Sequence, residues 1–580
     1  MSQLYKSKRI TIIHCFVLFA FSFPFIACVR KPSESSRLKR LKIFREDQKP
    51  VAYYFRDAEK IARTASWEKW HGNFNHLMGI EGKVLREEVI VNNDQVIRYF
   101  IRFKELHPEQ LVLIHFNGRA RDPIYESNPF FAGHWIYYNG ATIQNNLLAE
   151  KGVVEIKVSD ASLFKTNTGL NKAKNEDVGI CELDADGKPN WHNSEQVKLL
   201  DVDIGSNTIM LERGCYGTVP RAFRANRAYA AAHVTEGSWG KGSNLMWYYN
   251  FSPLCPRDKE GKQAADILAG QLASWFHKDG RLEKFDGVEF DVLHHVPRSN
   301  AGARGLDVNA DGIADNGIFN GVQTYGIGVV NFLKKLRGML GDDRLIMADN
   351  DRWFHQRAVG ILNGIESETF PTGSDDKFED WAGGVNRLMF WSANSREPVS
   401  NYIARPDSKR LADIRLVLAA AALCDAGISM TRSTYFHEPE GEVFIWDELI
   451  KGDEKVPGWL GKAIKPTQRL AVDSSNLIID ESDLKSKIKS LSCSFKIRNG
   501  TIELHKRSSS EAFMQFQLSE LECEGQDLFV TLTVSAEPMA NYPKEGARLM
   551  FSEISGGEKA LLEERVISNM ALVNEKPFKA

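Results

Sequence analysis

Short strand-like runs that recur between helical stretches constrain this chain more than any other feature. Such runs fall at 51–55, 76–81, 111–117, 286–291, 344–349, 364–369, 400–404 and 427–432. Between several of them the apolar residues take helical spacing. One such stretch is 57–70, another is 94–106, and a third carries Ala264, Leu268, Leu272 and Trp275 on one face. Strands separated by helices pair in parallel, because the return connection has to cross the sheet. Eight of them predict an α/β fold, a (β/α)8 TIM barrel over about 50–465.

The rhythm breaks between about 150 and 237, where β-branched and alternating runs at 153–158, 196–202 and 208–213 have no helices between them. Gly205-Ser206-Asn207 has hairpin-turn composition between the last two. This segment reads as a small β domain inserted in a barrel loop, and 245–250 as an edge piece leading out of it. Within it, Arg213-Gly214-Cys215-Tyr216-Gly217-Thr218 resembles an RGxxGT turn of small β modules in phage and surface proteins, with a structural role the simpler reading. After 466 the pattern becomes short strands separated by polar turns, at 477–479, 488–495, 501–505, 513–518, 528–534 and 548–551. That predicts a C-terminal all-β sandwich over 466–580, either carbohydrate-binding or purely stabilising.

The N-terminus narrows the class of protein. Lys6, Lys8 and Arg9 precede an apolar run that ends at Phe25-Ile26-Ala27-Cys28. A basic start, an apolar centre and a small residue at the end read as an export signal over 1–28. The ending resembles a bacterial lipoprotein box in which Cys28 is lipidated, with Phe25 where Leu is usual. A plain cleaved signal and an uncleaved anchor are the alternatives. Residues 29–49 are basic and Ser-containing and read as a tether, so the expected location is the cell envelope, lipid-anchored or secreted. With a formal net charge of -2, nothing points to a nucleic-acid partner or an anionic membrane surface, and no nucleic acid is expected. Eight cysteines are too few for a disulfide scaffold at this length, although Cys181 with Cys215 and Cys493 with Cys523 are possible pairs in an exported protein.

Chemistry concentrates where the barrel strands end, the face on which such folds carry their sites. In Phe285-Asp286-Gly287-Val288-Glu289-Phe290-Asp291, alternation puts Glu289 and Asp291 on one face, with Gly287 leaving room there. The other strand ends offer Asn117 with Arg119 and Arg121, Asp349 with Asp351 and Trp353, Glu366 with Glu368, Arg405, and Arg432; His294 and His295 follow Asp291. Cleaving a glycosidic bond needs one carboxyl to protonate the leaving oxygen and another to attack the anomeric carbon or activate water. Asp291 is the expected nucleophile or base. Glu366 is the expected acid, and Glu368 competes with it. Glu289, His294, Asn117, Arg119, Asp349, Asp351, Trp353, Arg405 and Arg432 are the expected substrate contacts. Tyr53, Tyr54, Trp135, Tyr137, Tyr138, Trp247, Trp353 and Trp391 are candidate sugar-stacking rings. Each carboxylate also has a plain reading as a helix cap or ion-pair member.

A second motif is Asp307-Val308-Asn309-Ala310-Asp311-Gly312-Ile313-Ala314-Asp315. It places oxygen ligands at alternate positions and Gly at the sixth, as in an EF-hand-type Ca²⁺ loop, with the Ile313 carbonyl at position seven. The twelfth position is Ile318 in place of Glu. Structural Ca²⁺ is one expectation, and an Asx-turn loop without metal is the other. No organic cofactor is expected.

From about 50 to 463 the chain resembles the glycoside-hydrolase-like TIM-barrel family. The likeness rests on the strand ending in Asp291, on the DxNxDGxxD loop, on Asn363-Gly364-Ile365-Glu366, and on Pro457-Gly458-Trp459-Leu460-Gly461. It implies that Asp291 and Glu366 form a catalytic pair. The same strand is similar to the DGxDxDxE signature of family-18 chitinases at Asp286, Glu289 and Asp291. Leu293 stands where that signature has its catalytic Glu, which argues against chitinase chemistry. Three functions follow. One is an exported glycoside hydrolase acting on a polysaccharide and anchored to a membrane by lipid. The others are a non-catalytic glycan-binding lipoprotein and a structural or adhesive envelope protein.

Overall fold

The computed structural model describes most of 94–349 and 358–429. It also describes 9–13, 52–55, 66–68, 71 and 80–86 upstream and short strands between 450 and 579 downstream. It is a mixed α/β structure with one parallel sheet and several antiparallel ones. Two compact units divide it, one holding most of 31–467 and the other most of 468–580 with the N-terminal strand.

In the larger unit eight strands pair in parallel: β1 (Ala52–Phe55), β2 (Ile80–Arg86), β3 (Leu111–Asn117), β4 (Gly287–Asp291), β5 (Leu345–Asp349), β6 (Gly364–Phe370), β7 (Tyr402–Pro406) and β8 (Gly427–Ser429). Their order is sequential and returns on itself, β3 pairing with β4 and β8 with β1. Five α-helices are present among the described residues: α1 (Asp94–Leu106), α2 (Ala264–Phe276), α3 (Thr324–Leu340), α4 (Phe378–Asn394) and α5 (Leu411–Leu423). The expected helix at 57–70 lies outside the described residues except for Ser66, which is not helical, and Trp67 and Glu68, which are.

Apolar spacing explains how the helices pack. Ala264, Leu268, Leu272 and Trp275 of α2 are all buried, as their single face requires. A capping box starts that helix, with Asp266 accepting from the Gln263 amide at 2.9 Å. In α3, Val329, Phe332, Leu333 and Leu336 are buried. Gly341 ends α3 at φ 64, its N–H donating to the Arg337 carbonyl. Lys104 of α1 turns inward to Asp286 at 2.8 Å, and Asp286 also accepts from the Val112 amide. Asp286 therefore locks the entrance of β4 to its neighbours, so the residue that opens the chitinase-like signature is structural.

Gly287 plays a different part from the one expected. A Cβ there would sit 2.2 Å from the Leu345 carbonyl oxygen, so the glycine lets β4 and β5 close together and does not make room for the acids. Gly364 does the same on β6 against Ser400.

The insert is a six-stranded antiparallel sheet, ordered 141–143, 228–232, 177–183, 189–203, 208–213 and 152–157. It begins earlier than the expected 150. A bridge between Ile143 and Val158 draws its two edge strands together. Asp203 pairs with Thr208 around the expected turn, where Asn207 takes φ 54. The RGxxGT turn is structural: Arg213 is buried on Glu195 at 2.6 Å, and Gly214, Tyr216 and Gly217 all take positive φ. Cys181 and Cys215 are free thiols, which corrects their expected pairing. Cys181 is sealed in the core, and Cys215 donates to the Glu212 carbonyl. Cys493 and Cys523 lie outside the described residues. A three-stranded antiparallel sheet follows, made of 235–236, 246–248 and 120–121. It keeps the segment at 246–248 out of the parallel sheet.

The smaller unit is antiparallel. Its largest sheet orders 488–491, 514–517, 9–13, 545–555 and 558–568. Residues 494–498 and 501–505 form a separate hairpin. Residues 9–13 are thus an interior strand of this unit, inside the stretch read as a signal. The expected strand at 477–479, Cys28 and the tether lie outside the described residues.

Candidate functional site

The interior face of the parallel strands can be read from one contact. Tyr402 of β7 donates its hydroxyl proton to Oε1 of Glu289 on β4 at 2.6 Å. Those strands are not neighbours, so the two side chains meet inside the ring, and Glu289 is fully buried there. Parity then turns Asp291 inward as well. Pairing extends the same level across the sheet. Asn117 pairs with Asp291, Phe290 with Ala348, Asp349 with Glu366, and Glu366 with Tyr402. Carboxyls at Asp291, Asp349 and Glu366 therefore stand on three successive strands. Asp291 and Glu366 are two strands apart, about 10 Å between Cα atoms at the usual inter-strand spacing.

Depth distinguishes them. The Asp291 side chain is 22% exposed and takes His115 Nε2 at 3.2 Å. Asp349 is 5% and Glu366 0% exposed. Glu368 lies two residues further toward the strand end, paired with Ala404, and Arg405 lies within β7; only the backbones of these two are described. Asp351, Trp353 and Arg432 lie outside the described residues.

Backbone strain sits directly after Asp291. Val292 has φ 50, a left-handed conformation unfavourable for a β-branched residue. The turn it makes carries His294 back over the end of β3, where Gly118 donates to the Asp291 carbonyl at 2.7 Å. A Cβ on Gly118 would meet Leu293 at 2.6 Å, so the approach requires glycine.

Polar groups at the end of β3 form a connected set. Asn117 Oδ1 accepts from the Arg119 and Ala120 amides, which fixes the bend out of the strand. Arg119 Nε donates to Glu236 Oε2 at 2.6 Å, Nη1 meets His294 Nδ1 at 3.2 Å, and the guanidinium lies 5.3 Å from the Tyr248 ring. Burial works against the Arg119 charge, but Glu236 more than offsets it, and the pKa is raised above its ordinary value.

The expected stacking platforms are mostly core. Trp135, Tyr137, Tyr138, Trp247 and Trp391 are each 2% exposed or less. Tyr137 stacks on Trp191, and Trp247 stacks on His233 at 3.8 Å. This corrects their assignment as sugar contacts. The side chains of Tyr53 and Tyr54 lie outside the described residues.

In the loop at 307–315 the carboxylates serve the backbone. Asp307 accepts from the Asp311 and Gly312 amides, and Asp315 from Val308, Asn309 and Gly317. Asn309 and Asp311 each accept from an amide two residues on, and Ile313 is exposed. Gly312 takes φ 90, the conformation the sixth position of such a loop needs. Trp191 and Asn250 tie the loop to its surroundings through the Ala310 and Val308 carbonyls. Among the described residues no three His, Cys, Asp or Glu side chains are grouped to hold a metal. As arranged, the donors fit an Asx-turn loop better than a coordination sphere.

Sequence reasoning missed His115, Glu236, Tyr248 and Tyr402. His115 shares parity with Asn117, a signal present in the strand itself. Glu236 comes from a two-residue strand after the insert and has no local signature.

No protein-family pattern matches this sequence, and no curated protein does either.

Proposed function

We propose that the parallel ring is a complete (β/α)8 barrel and that the protein is an exported glycoside hydrolase acting on a polysaccharide. The observation that carries this reading is the row of carboxyls Asp291, Asp349 and Glu366 on adjacent strands at one end of the ring. A spacing of about 10 Å between the backbones of Asp291 and Glu366 suits two carboxyls flanking a sugar. Asp291, the most exposed of the three, is the nucleophile or base, with His115 holding its carboxylate. The proton donor comes from β6, as Glu366 or as Glu368 one step closer to the open end. Asn117, Arg119, Glu289, His294 and Asp349 shape the walls.

The reading predicts release of reducing sugar from a polysaccharide panel. Asp291→Asn should lower it by about 10²–10⁴-fold, the usual contribution of a positioned acid or base. Glu366→Gln and Glu368→Gln, measured separately, identify the acid by which one matches that loss. Full turnover in Asp291→Asn would end the proposal.

Complete burial of Glu366 favours one competing reading, a surface lipoprotein that binds glycan without cleaving it. Glycan binding without sugar release, unchanged in Asp291→Asn, would select it. A structural Ca²⁺ at 307–315 is proposed on the DxNxDGxxD spacing alone, and no catalytic step passes through it. Repeating the assay and the thermal melt in a chelator checks it.

A further inference from the structure

A cavity of about 320 Å³ opens on the insert, and none of its lining residues belongs to a strand of the parallel ring. That volume falls at the lower end of the ~300–1,000 Å³ of small-molecule sites. Three of its ten lining residues are leucines, and the rest carry polar groups. Such a wall suits a hydroxylated or charged ligand better than an apolar one.

The two acids in the lining are already engaged. Glu176 accepts from both terminal nitrogens of Arg304, at 2.6 and 2.8 Å, and from the Lys165 amide. Asp177 receives Tyr216 Oη and Trp247 Nε1. The cations are not matched in the same way. Lys198 Nζ lies 4.0 Å from Glu212 with both side chains nearly half exposed, a pairing of little strength. It also lies 5.8 Å from the ring of Tyr216, a second lining residue. Lys174 is half-buried and has no carboxylate partner among the described residues.

Two amides add acceptors. Asn175 Nδ2 donates to the Leu199 and Leu200 carbonyls at 3.0 and 2.8 Å, and Asn244 Nδ2 to Asp122 Oδ1 at 3.4 Å. These bonds fix which end of each amide is nitrogen, and each Oδ1 keeps its lone pairs for another donor.

We propose that this cavity is a second binding site, and that it takes a small hydroxylated carboxylate of the sugar-acid class. Lys174 and Lys198 meet the carboxylate through charge-assisted hydrogen bonds. Asn175 and Asn244 accept from the hydroxyls, and the Tyr216 ring with Leu199 and Leu245 covers the C–H face. The site does not depend on what the parallel ring does.

The test is calorimetric titration of the full chain with D-glucuronate, with acetate and D-glucose as controls. Glucuronate should saturate one site at millimolar concentration. Acetate lacks the hydroxyls and glucose the charge, so each should bind at least about tenfold more weakly. Lys174→Met and Lys198→Met should each weaken glucuronate by about tenfold, the scale of one charge-assisted hydrogen bond. Lys259→Met removes an exposed charge outside the lining and should change nothing. No saturation by glucuronate, equal binding of acetate or glucose, or unchanged affinity in both lining-lysine variants overturns the proposal. Loss of binding in Asp291→Asn would place the ligand in the ring and overturns it equally. If a lysine variant fails to fold, the three-ligand comparison on the parent protein decides.

Discussion

At the scale of single residues, burial decides what each polar group does. Asp177 receives hydrogen bonds from Tyr216 Oη and Trp247 Nε1, yet burial dominates and pushes its carboxyl up to about 6. Its folded form therefore binds a proton more tightly than its unfolded form. The stability it contributes is present below about pH 4 and is lost as pH rises to about 6. Asp177→Asn should flatten the melting temperature across that window and raise it by a few degrees at pH 8; a profile identical to the parent's would refute this. Parity alone made Glu289 and Asp291 legible as an inward pair. The same parity pointed to His115, but a lone histidine in an apolar run carries too little signal to be chosen. Glu236 was invisible because only the folded insert brings it over Asn117. The aromatic residues misled for a physical reason: ring platforms and ring cores have the same composition, and only exposure separates them.

Among the elements, the parallel strands were legible because each is a short buried run with clear ends. Their bounds were less so. β2 runs on to Arg86 through Glu81 and Lys83, whose polarity disguises a strand interrupted by irregular pairing with β3. β7 starts at Tyr402, and the side chain of Asn401 just before it accepts from the Ile365 amide. Helix α3 contains a controlled comparison. At Gly328 a Cβ would lie 1.5 Å from the Phe251 carbonyl oxygen, whereas at Gly338 it would meet nothing within 4 Å. Gly338→Ala should stabilise by up to about 1 kcal/mol through helix propensity. Gly328→Ala should cost about 1–3 kcal/mol, because backbone has to move. Thermal melts of the two variants check the opposite signs.

For the molecule as a whole, two readings of the N-terminus compete. Cleavage before Cys28 would remove residues 9–13, the interior strand of the smaller unit's sheet. A lipoprotein made in bacteria should have a mature mass that begins at Cys28 with added acyl chains, and Cys28→Ala should leave the membrane fraction. An intact mass starting at Met1 would favour the strand instead.

The chain leaves the ring at Asn117 and returns beside it at Asp291 only after the entire insert has been threaded. Loop closure over such a distance costs little at equilibrium, since each doubling of length adds about 0.6 kcal/mol, but it slows the search for partners. Refolding should therefore complete local hairpins first and zip the β3–β4 seam late, so that the end of the ring at Asn117 and Asp291 is the last part a renaturing chain completes.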